Sequence, residues 1–267
     1  MSLRLTGTFR DALAAASRPL VGMWACTGSP VLAEVDAGSG LDWLLIDGEH
    51  GPNTLESILV QLQVVAAYPI SPLVRVPWNE PVFIKQVLDI GAQNIIVPMI
   101  SSAAEAEAAV AATRYPPAGV RGVGSALARS ARWNRVDGYL GDGSSHVSLT
   151  VQIENGAGVD AAAEIAAVDG VDQVFVGPSD LAASMGLLGQ QTHPDVVDAV
   201  HRTFAAVKAA GKKVGVNAFD PAAAEAYVQA GADFIAVGAD VAMLARASEG
   251  LAARFIPAAD RTERASY

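Results

Sequence analysis

One phrase recurs along the chain and limits the folds that the chain can adopt. A glycine is followed by a short polar turn and then by a largely apolar run, at residues 40–48, 91–98, 170–177 and 231–238. Glycine commonly ends a helix, because it adopts the left-handed backbone conformation at little cost. A continuous apolar run is typical of a parallel strand that is covered on both faces. The repeat therefore predicts units in which a helix leads into a buried strand.

Eight strands of this kind can be placed, with helical segments between them. Some of the helices begin with a proline in the first turn, as at Pro30, Pro81 and Pro221. The predicted strands are residues 20–25, 43–46, 73–76, 94–98, 148–153, 173–176, 214–216 and 234–237. Eight β/α units in 267 residues favour a closed TIM (β/α)8 barrel over an open doubly wound sheet. No linker divides the chain, so we predict one α/β domain over residues 1–267.

The composition excludes several classes of protein. The chain has 18 Lys and Arg against 28 Asp and Glu, a net charge of −10, so we expect no nucleic-acid partner. The longest uncharged stretch, residues 57–74, is broken by Pro69 and Pro72, so we expect no membrane span. The single cysteine, Cys26, fits a cytoplasmic protein. Charged residues make up only 17%, which predicts that part of the surface is buried in an oligomer.

Two acidic residues stand where a barrel carries its chemistry, at the carboxyl ends of the strands. Glu154 follows the fifth predicted strand and Asp180 follows the sixth. Two carboxylates at neighbouring strand ends repel each other unless a cation lies between them, and oxygen ligands suit Mg²⁺ or Mn²⁺. The alternative is that each carboxylate caps a helix or pairs with an arginine.

Three further polar residues lie at strand ends. Asp47 and His50 follow the second strand, and a carboxylate beside an imidazole can form a proton-transfer pair. An ordinary loop histidine is the alternative. Arg75 lies within an apolar strand, so a buried guanidinium there needs an anion. That anion is either a substrate oxygen or a protein carboxylate such as Asp47 or Glu49.

The lysines exclude one kind of carbonyl chemistry. The chain has four, namely Lys85, Lys208, Lys212 and Lys213. The first two lie on predicted helices, and the other two precede a strand at the opposite end of the barrel. A Schiff-base enzyme needs a lysine inside the barrel. Activation of a carbonyl would therefore fall to a metal ion.

Residues 121–135 carry four arginines and a tryptophan. In a chain this acidic, nucleic-acid binding is disfavoured. The segment either recognises an anionic substrate or packs in a subunit interface, and we favour the interface.

Several motifs together resemble one known family over nearly the whole chain. They are Gly22-Met-Trp24, Asp47-Gly-Glu-His-Gly-Pro-Asn53, Arg75-Val-Pro77, Arg121-Gly-Val-Gly-Ser-Ala-Leu-Ala-Arg129, Gln152-Ile-Glu154 and Gly177-Pro-Ser-Asp-Leu181. This combination resembles the metal-dependent pyruvate aldolases of the HpcH/HpaI family. The chain departs from the family pattern at Ser179, where alanine is common, and this change affects the polarity of the pocket rather than a backbone contact.

The resemblance implies an activity and an assembly. The activity is reversible retro-aldol cleavage of 4-hydroxy-2-oxo acids to pyruvate and an aldehyde. The assembly is a homohexamer, a trimer of dimers, in which the C-terminal helix is exchanged between subunits. Two alternatives remain: an acyl-CoA lyase of the same superfamily, and a non-catalytic barrel that binds a metal ion and a keto acid.

The resemblance also implies roles for individual residues. Glu154 and Asp180 would hold Mg²⁺, Mn²⁺ or Co²⁺. The expected substrate-binding residues are Trp24, Arg75, Gln152, Gly177, Ser179 and Asp180. Arg75 would contact the keto oxygen, and backbone N–H groups from Gly177 onward would hold the carboxylate. His50, oriented by Asp47, would handle the hydroxyl proton. Asp89 would reach the site of a neighbouring subunit.

Overall fold

Eight parallel strands close into a barrel in sequential order, which confirms the predicted TIM (β/α)8 architecture. The computed structural model describes residues 3–257. The strands are β1 (Leu20–Ala25), β2 (Trp43–Asp47), β3 (Ser71–Arg75), β4 (Asn94–Val97), β5 (Ser148–Ile153), β6 (Gln173–Val176), β7 (Lys213–Asn217) and β8 (Phe234–Ala239). Each prediction of a strand overlaps one of these, and the differences are confined to the strand ends.

Residues 3–257 also contain eleven α-helices and one 3-10 turn at Arg129–Ala131. The helices are α1 (Phe9–Ala15), α2 (Pro30–Ala37), α3 (Leu55–Val65), α4 (Pro81–Asp89), α5 (Ala103–Thr113), α6 (Gly156–Asp160), α7 (Ala162–Ala167), α8 (Pro178–Ser184), α9 (Pro194–Ala209), α10 (Pro221–Gln229) and α11 (Asp240–Phe255). Most of them form the outer layer, because a crossover between parallel strands packs against the face of the sheet.

The helix boundaries follow from local sequence chemistry. The helices α2, α4 and α10 begin with proline, and in each the residue before it accepts a backbone N–H bond through its side chain. The repeated glycines have positive φ angles of +88° at Gly40, +100° at Gly91, +103° at Gly170 and +98° at Gly231. A side chain at these positions would be strained, so the repeat fixes where each chain segment turns into its strand.

Aromatic side chains fill the barrel interior. The ring centroids of Trp43 and Phe234 lie 5.8 Å apart, and those of Trp43 and Phe175 lie 6.3 Å apart. The helix α1 adds Phe9, whose ring lies 5.3 Å from that of Phe234 and whose backbone N–H donates to the Oδ1 atom of Asn94 at 2.7 Å. This helix, which the sequence analysis did not predict, closes the amino-terminal end of the barrel.

Two glycines make room for this aromatic core. A Cβ atom built on Gly22 would lie 2.5 Å from the carbonyl oxygen of Trp43 and would overlap the Trp43 ring. A Cβ atom on Gly215 would likewise overlap the ring of Phe234. Each of these glycines therefore lies next to a large ring, and the missing side chain allows the close packing typical of protein interiors.

The C-terminal helix α11 packs loosely on the barrel. Asp240 is its one buried residue, and its exposed apolar residues are Val241, Met243, Leu244, Leu251 and Phe255. Neither α11 nor any other helix within residues 3–257 combines the length and the apolar character needed to cross a membrane. Exchange of α11 between subunits stays a prediction, as does the extension of the single domain to residues 1–2 and 258–267, which lie outside the described residues.

We expect the substitution Gly22→Ala to lower the free energy of unfolding by about 1–3 kcal/mol, since the added methyl group overpacks the Trp43 ring. Urea denaturation measures the change. Gly156→Ala is the matched control, because nothing lies within 4 Å of a Cβ atom there, and it should change stability by less than about 0.5 kcal/mol. An unchanged midpoint for Gly22→Ala would contradict the close packing of β1 against the ring and backbone of Trp43.

Candidate active site

A buried ion-pair cluster lies at the carboxyl ends of β2 and β3. The strand register places Asp47 directly beside Arg75. The Nε and Nη2 atoms of Arg75 donate to the two carboxylate oxygens of Asp47 at 2.8 Å each, and its Nη1 atom lies 2.7 Å from Oε2 of Glu49. The side chains of Arg75 and Asp47 are only 5% and 2% exposed. The protein itself therefore supplies anions for Arg75, as one of the two sequence interpretations held.

Trp24 holds the face of the same guanidinium. The Arg75 Cζ atom lies 4.3 Å from the centroid of the Trp24 ring, within the range of a cation–π contact. The Trp24 Nε1 atom donates to Oδ1 of Asn217 at 2.8 Å, and Asn217 ends β7. Residues from three strands thus fix both the edge and the plane of the Arg75 guanidinium.

The cluster keeps Asp47 ionised and Cys26 protonated. Burial raises the pKa of Asp47, but the hydrogen bonds and charge of Arg75, with the backbone N–H groups of Glu49 and His50, bring that pKa below its ordinary value. Burial, together with the negative charge of Asp47, raises the pKa of the Cys26 thiol to about 12. A thiol so weakly acidic is a poor nucleophile, so Cys26 does not fit a covalent catalytic role.

Glu154 lies just beyond β5, on the other side of the site. Its Oε1 atom accepts the backbone N–H of Met99 at 2.7 Å, and its Oε2 atom accepts from Nε2 of Gln152 at 2.7 Å. Met99 has a φ angle of 58°, which is uncommon for a residue with a side chain. Burial, together with the charges of Glu49 and Asp180, raises the pKa of Glu154 to about 7, although the hydrogen bond from Met99 lowers it.

The helix α8 supplies the remaining predicted residues. Gly177 is its buried N-cap, and Ser179 and Asp180 lie exposed in its first turn. A Cβ atom on Gly177 would lie 2.9 Å from Oε2 of Glu154 and 3.0 Å from Nε2 of Gln152. The absence of a side chain at Gly177 therefore allows its backbone to lie close against Glu154 and Gln152.

The donor set fits a hard divalent cation. Asp47, Glu49, Glu154 and Asp180 bring four carboxylates together with one guanidinium, so the site carries excess negative charge. The Oε1 atom of Gln152 is buried and has no hydrogen-bond partner among residues 3–257. Within the same residues, no group of three or more His, Cys, Asp or Glu side chains is arranged to hold a metal ion. Two carboxylates and water are nevertheless a common ligand set for Mg²⁺.

His50 does not touch the Asp47 carboxylate with its imidazole. Its backbone N–H donates to Asp47 Oδ1 at 3.4 Å, while both Asp47 oxygens are held by Arg75. The imidazole is 67% exposed, and its Nε2 atom lies 4.0 Å from Oε1 of Glu49. Any orienting effect of Asp47 on His50 thus acts through the backbone, where the sequence analysis expected a direct side-chain contact.

Asp89 lies outside this chain's own site. It is the last residue of α4, at the amino-terminal end of the barrel, and its Oδ1 atom pairs with Nη2 of Arg121 at 3.0 Å. Its predicted role in a neighbouring subunit stays a prediction.

The sequence alone does not place Met99 in the site, and it indicates Glu49 only as a partner for Arg75. Met99 contributes its backbone N–H, which almost any residue could supply, so the residue type does not indicate this role. The bond between Asn217 and Trp24 joins β7 to β1, and a single sequence does not reveal such a contact. For Glu49 a signal existed, because it is a charged residue within two positions of a strand end.

Removing the Glu154 charge should stabilise the metal-free protein at alkaline pH. Between the ordinary value of 4.5 and the raised pKa of about 7, the folded protein retains a proton that the unfolded chain releases. Its stability therefore falls as pH rises through this range. In EDTA, Glu154→Gln should melt above the wild type at pH 8, and the difference should shrink at pH 5. Rotation of the Gln152 amide would let its Oε1 accept from the new side chain.

The control for this measurement is Glu107→Gln on the exposed face of α5, which should show no pH-dependent difference in melting temperature. Parallel pH profiles for the wild type and Glu154→Gln would contradict the prediction.

Comparison with known proteins agrees with this geometry. The model of the HpcH/HpaI aldolase/citrate lyase family matches residues 20–247. Proteins named 4-hydroxy-2-oxo-heptane-1,7-dioate aldolase from Salmonella arizonae and Salmonella dublin are 51% and 50% identical over 251 residues, 94% of this chain and 95% of theirs. A crystal structure of a family member from Burkholderia cenocepacia has a TM-score of 0.89 at 43% identity and covers 93% of this chain and 99% of its own. This chain belongs to the HpcH/HpaI aldolase/citrate lyase family.

Proposed function

We propose that this protein cleaves 4-hydroxy-2-oxo acids reversibly to pyruvate and an aldehyde, with Mg²⁺, Mn²⁺ or Co²⁺ as cofactor. The observation that carries the proposal is the group of carboxylates at the carboxyl end of the barrel, in which Asp47 and Glu49 pair with Arg75 while Glu154 and Asp180 do not. The relatives that are 50% and 51% identical to this chain are named 4-hydroxy-2-oxo-heptane-1,7-dioate aldolase, and this supports the proposal. In the reaction the hydroxyl loses its proton, the C3–C4 bond breaks, and its electron pair forms the enolate of pyruvate. Protonation at C3 then gives the methyl group.

Glu154 and Asp180 would hold the cation, with the buried Oε1 atom of Gln152 beside them. When bound, a divalent cation supplies positive charge next to the oxygens of the keto acid. The backbone N–H groups of Ser179 and Asp180, in the first turn of α8, would hold the substrate carboxylate, whereas the N–H of Gly177 donates to the carbonyl oxygen of Ile153 and Pro178 has none.

Arg75 would stabilise the negative charge that develops on the keto oxygen. Its contacts with Asp47 and Glu49 engage Nε, Nη2 and Nη1, and a guanidinium has five N–H donors, so donors remain for substrate. Trp24 stacks on the guanidinium and borders the site. A donor held in place before the reaction contributes more than one that must reorient.

His50 would accept the hydroxyl proton during cleavage. Its exposed imidazole is free to approach a substrate. Asp47 fixes the backbone at His50 through the N–H bond, and Glu49 is the carboxylate nearest the ring.

We propose in addition that the protein is a homohexamer built as a trimer of dimers. The exposed apolar residues of α11 support burial against another subunit, and exchange of this helix would provide it. The role of Asp89 in a neighbouring subunit's site and the cytoplasmic location remain part of the same proposal.

Pyruvate release tests the reaction. We expect release from a 4-hydroxy-2-oxo acid with added Mn²⁺, and its loss in EDTA with recovery on adding Mn²⁺ again. Borohydride with pyruvate should not label the protein, because no lysine lies at the site. Cleavage of an acyl-CoA thioester instead, or binding of pyruvate without turnover, would replace the proposal by one of the two alternatives. A borohydride adduct on a lysine would refute the metal-dependent route.

The His50→Ala substitution separates two proton transfers. Loss of a general base costs about 10²–10⁴ in rate, so aldol cleavage should fall by that order. Exchange of the pyruvate methyl protons in heavy water should retain a larger share of its rate, because Arg75 and the cation still act on the enolate. Release of pyruvate and deuterium uptake by NMR measure the two rates. The control is His201→Ala on the outer helix α9, which should change neither. Equal losses in both reactions would mean that His50 serves enolisation itself.

A further inference from the structure

Apart from Arg121, which pairs with Asp89, the arginine-rich segment, residues 121–135, takes no part in the proposed reaction. Two of its side chains, Arg129 and Arg132, border a cavity of about 280 Å³. The cavity lies at the amino-terminal ends of β3 and β4, where Ser71 and Asn94 line it. It is therefore at the opposite end of the barrel from Glu154 and Asp180.

Neither of these two guanidinium groups has a carboxylate partner among residues 3–257. Arg129 donates through Nη1 to the carbonyl oxygen of Ile90 at 3.1 Å, and Arg132 donates through Nη1 to the carbonyl oxygen of Arg129 at 2.5 Å. Burial lowers the pKa of both side chains, and the charge of Arg132 lowers that of Arg129 further. Two adjacent, partly buried positive charges are costly without a counter-ion, and the chain as a whole is strongly negative.

The surrounding structure holds the pair in place. Arg121, earlier in the segment, is fully buried, pairs with Asp89 at 3.0 Å and stacks on Tyr115. A Cβ atom on Gly91, where φ is +100°, would lie 2.6 Å from Nη1 of Arg129. Arg132 itself has a φ angle of 48°. Left-handed backbone at a residue with a side chain persists only where the surroundings impose it.

We propose that this cavity binds a small oxyanion of the phosphate class between Arg129 and Arg132. Guanidinium groups present paired N–H donors that match the oxygens of phosphate. The cavity lies at the small end of ligand sites, which begin at about 300 Å³, so it suits inorganic phosphate or a small phosphorylated metabolite rather than a nucleotide. Gln93 adds a polar side chain to the lining.

Calorimetric titration with inorganic phosphate tests this site. The titration uses the full chain in EDTA, with ionic strength held constant by chloride. The wild type should bind phosphate and gain melting temperature with it, as any ligand of the folded state produces. Arg132→Gln and Arg129→Gln should each weaken binding about tenfold or more, because each removes a charge-assisted contact. Arg132→Lys, which keeps the charge and loses the paired donors, should bind between the wild type and Arg132→Gln.

Two controls separate this site from others. Arg135→Gln changes an exposed arginine of the same segment that does not line the cavity, and it should bind phosphate as the wild type does. Glu154→Gln should also bind normally, since the two sites lie at opposite ends of the barrel. Wild-type protein that fails to bind phosphate would overturn the proposal. If Arg132→Gln instead changes the mass measured by light scattering, the arginines pair with carboxylates of another copy, and the proposal fails.

Discussion

The bidentate pair between Arg75 and Asp47 is the interaction on which the rest of the site depends. The parallel pairing of β2 with β3 brings these residues into register, so the pair forms wherever these two strands are correctly aligned. Removing one partner would leave a buried charge without a counter-ion. The resulting loss of stability is larger than the net stability that the pair contributes. Arg75 also pairs with Glu49, and it is the only arginine or lysine in contact with these two carboxylates among the described residues. Glu154 and Asp180 form no ion pair with Arg75, and the proposal that they hold a divalent cation rests on this uncompensated charge.

The barrel was predictable because its signals are local. A glycine with positive φ before each of four strands, and prolines at helix starts, locate the turns independently of how the chain packs. The helix α1 was missed for the opposite reason. Its Phe9 belongs to a core whose other members, such as Phe234, are distant in sequence, and a short helix defined by such contacts has no strong pattern of its own.

For the site, sequence reasoning identified residue types better than contacts. Charged residues at the ends of apolar strands are conspicuous, so Asp47, Arg75 and Glu154 were proposed for the site, and all three lie at the carboxyl end of the barrel. Position along the chain does not determine which side chains are in contact. The imidazole of His50 makes no contact with the Asp47 carboxylate, although the two residues are close in sequence. The arginine-rich segment shows the same limit. Its charge suggested an anion or an interface, but the sequence did not reveal that Arg129 and Arg132 border a cavity at the far end of the barrel.

The aromatic core has a consequence for how these two ends relate. Phe9, Trp43 and Phe234 pack against one another inside the barrel, so its interior is filled with side chains rather than open. The strand β3 begins with Ser71 beside the cavity at one end and ends with Arg75 in the ion-pair cluster at the other. Because the interior between them is packed, the backbone of this strand is a direct structural connection between the two ends.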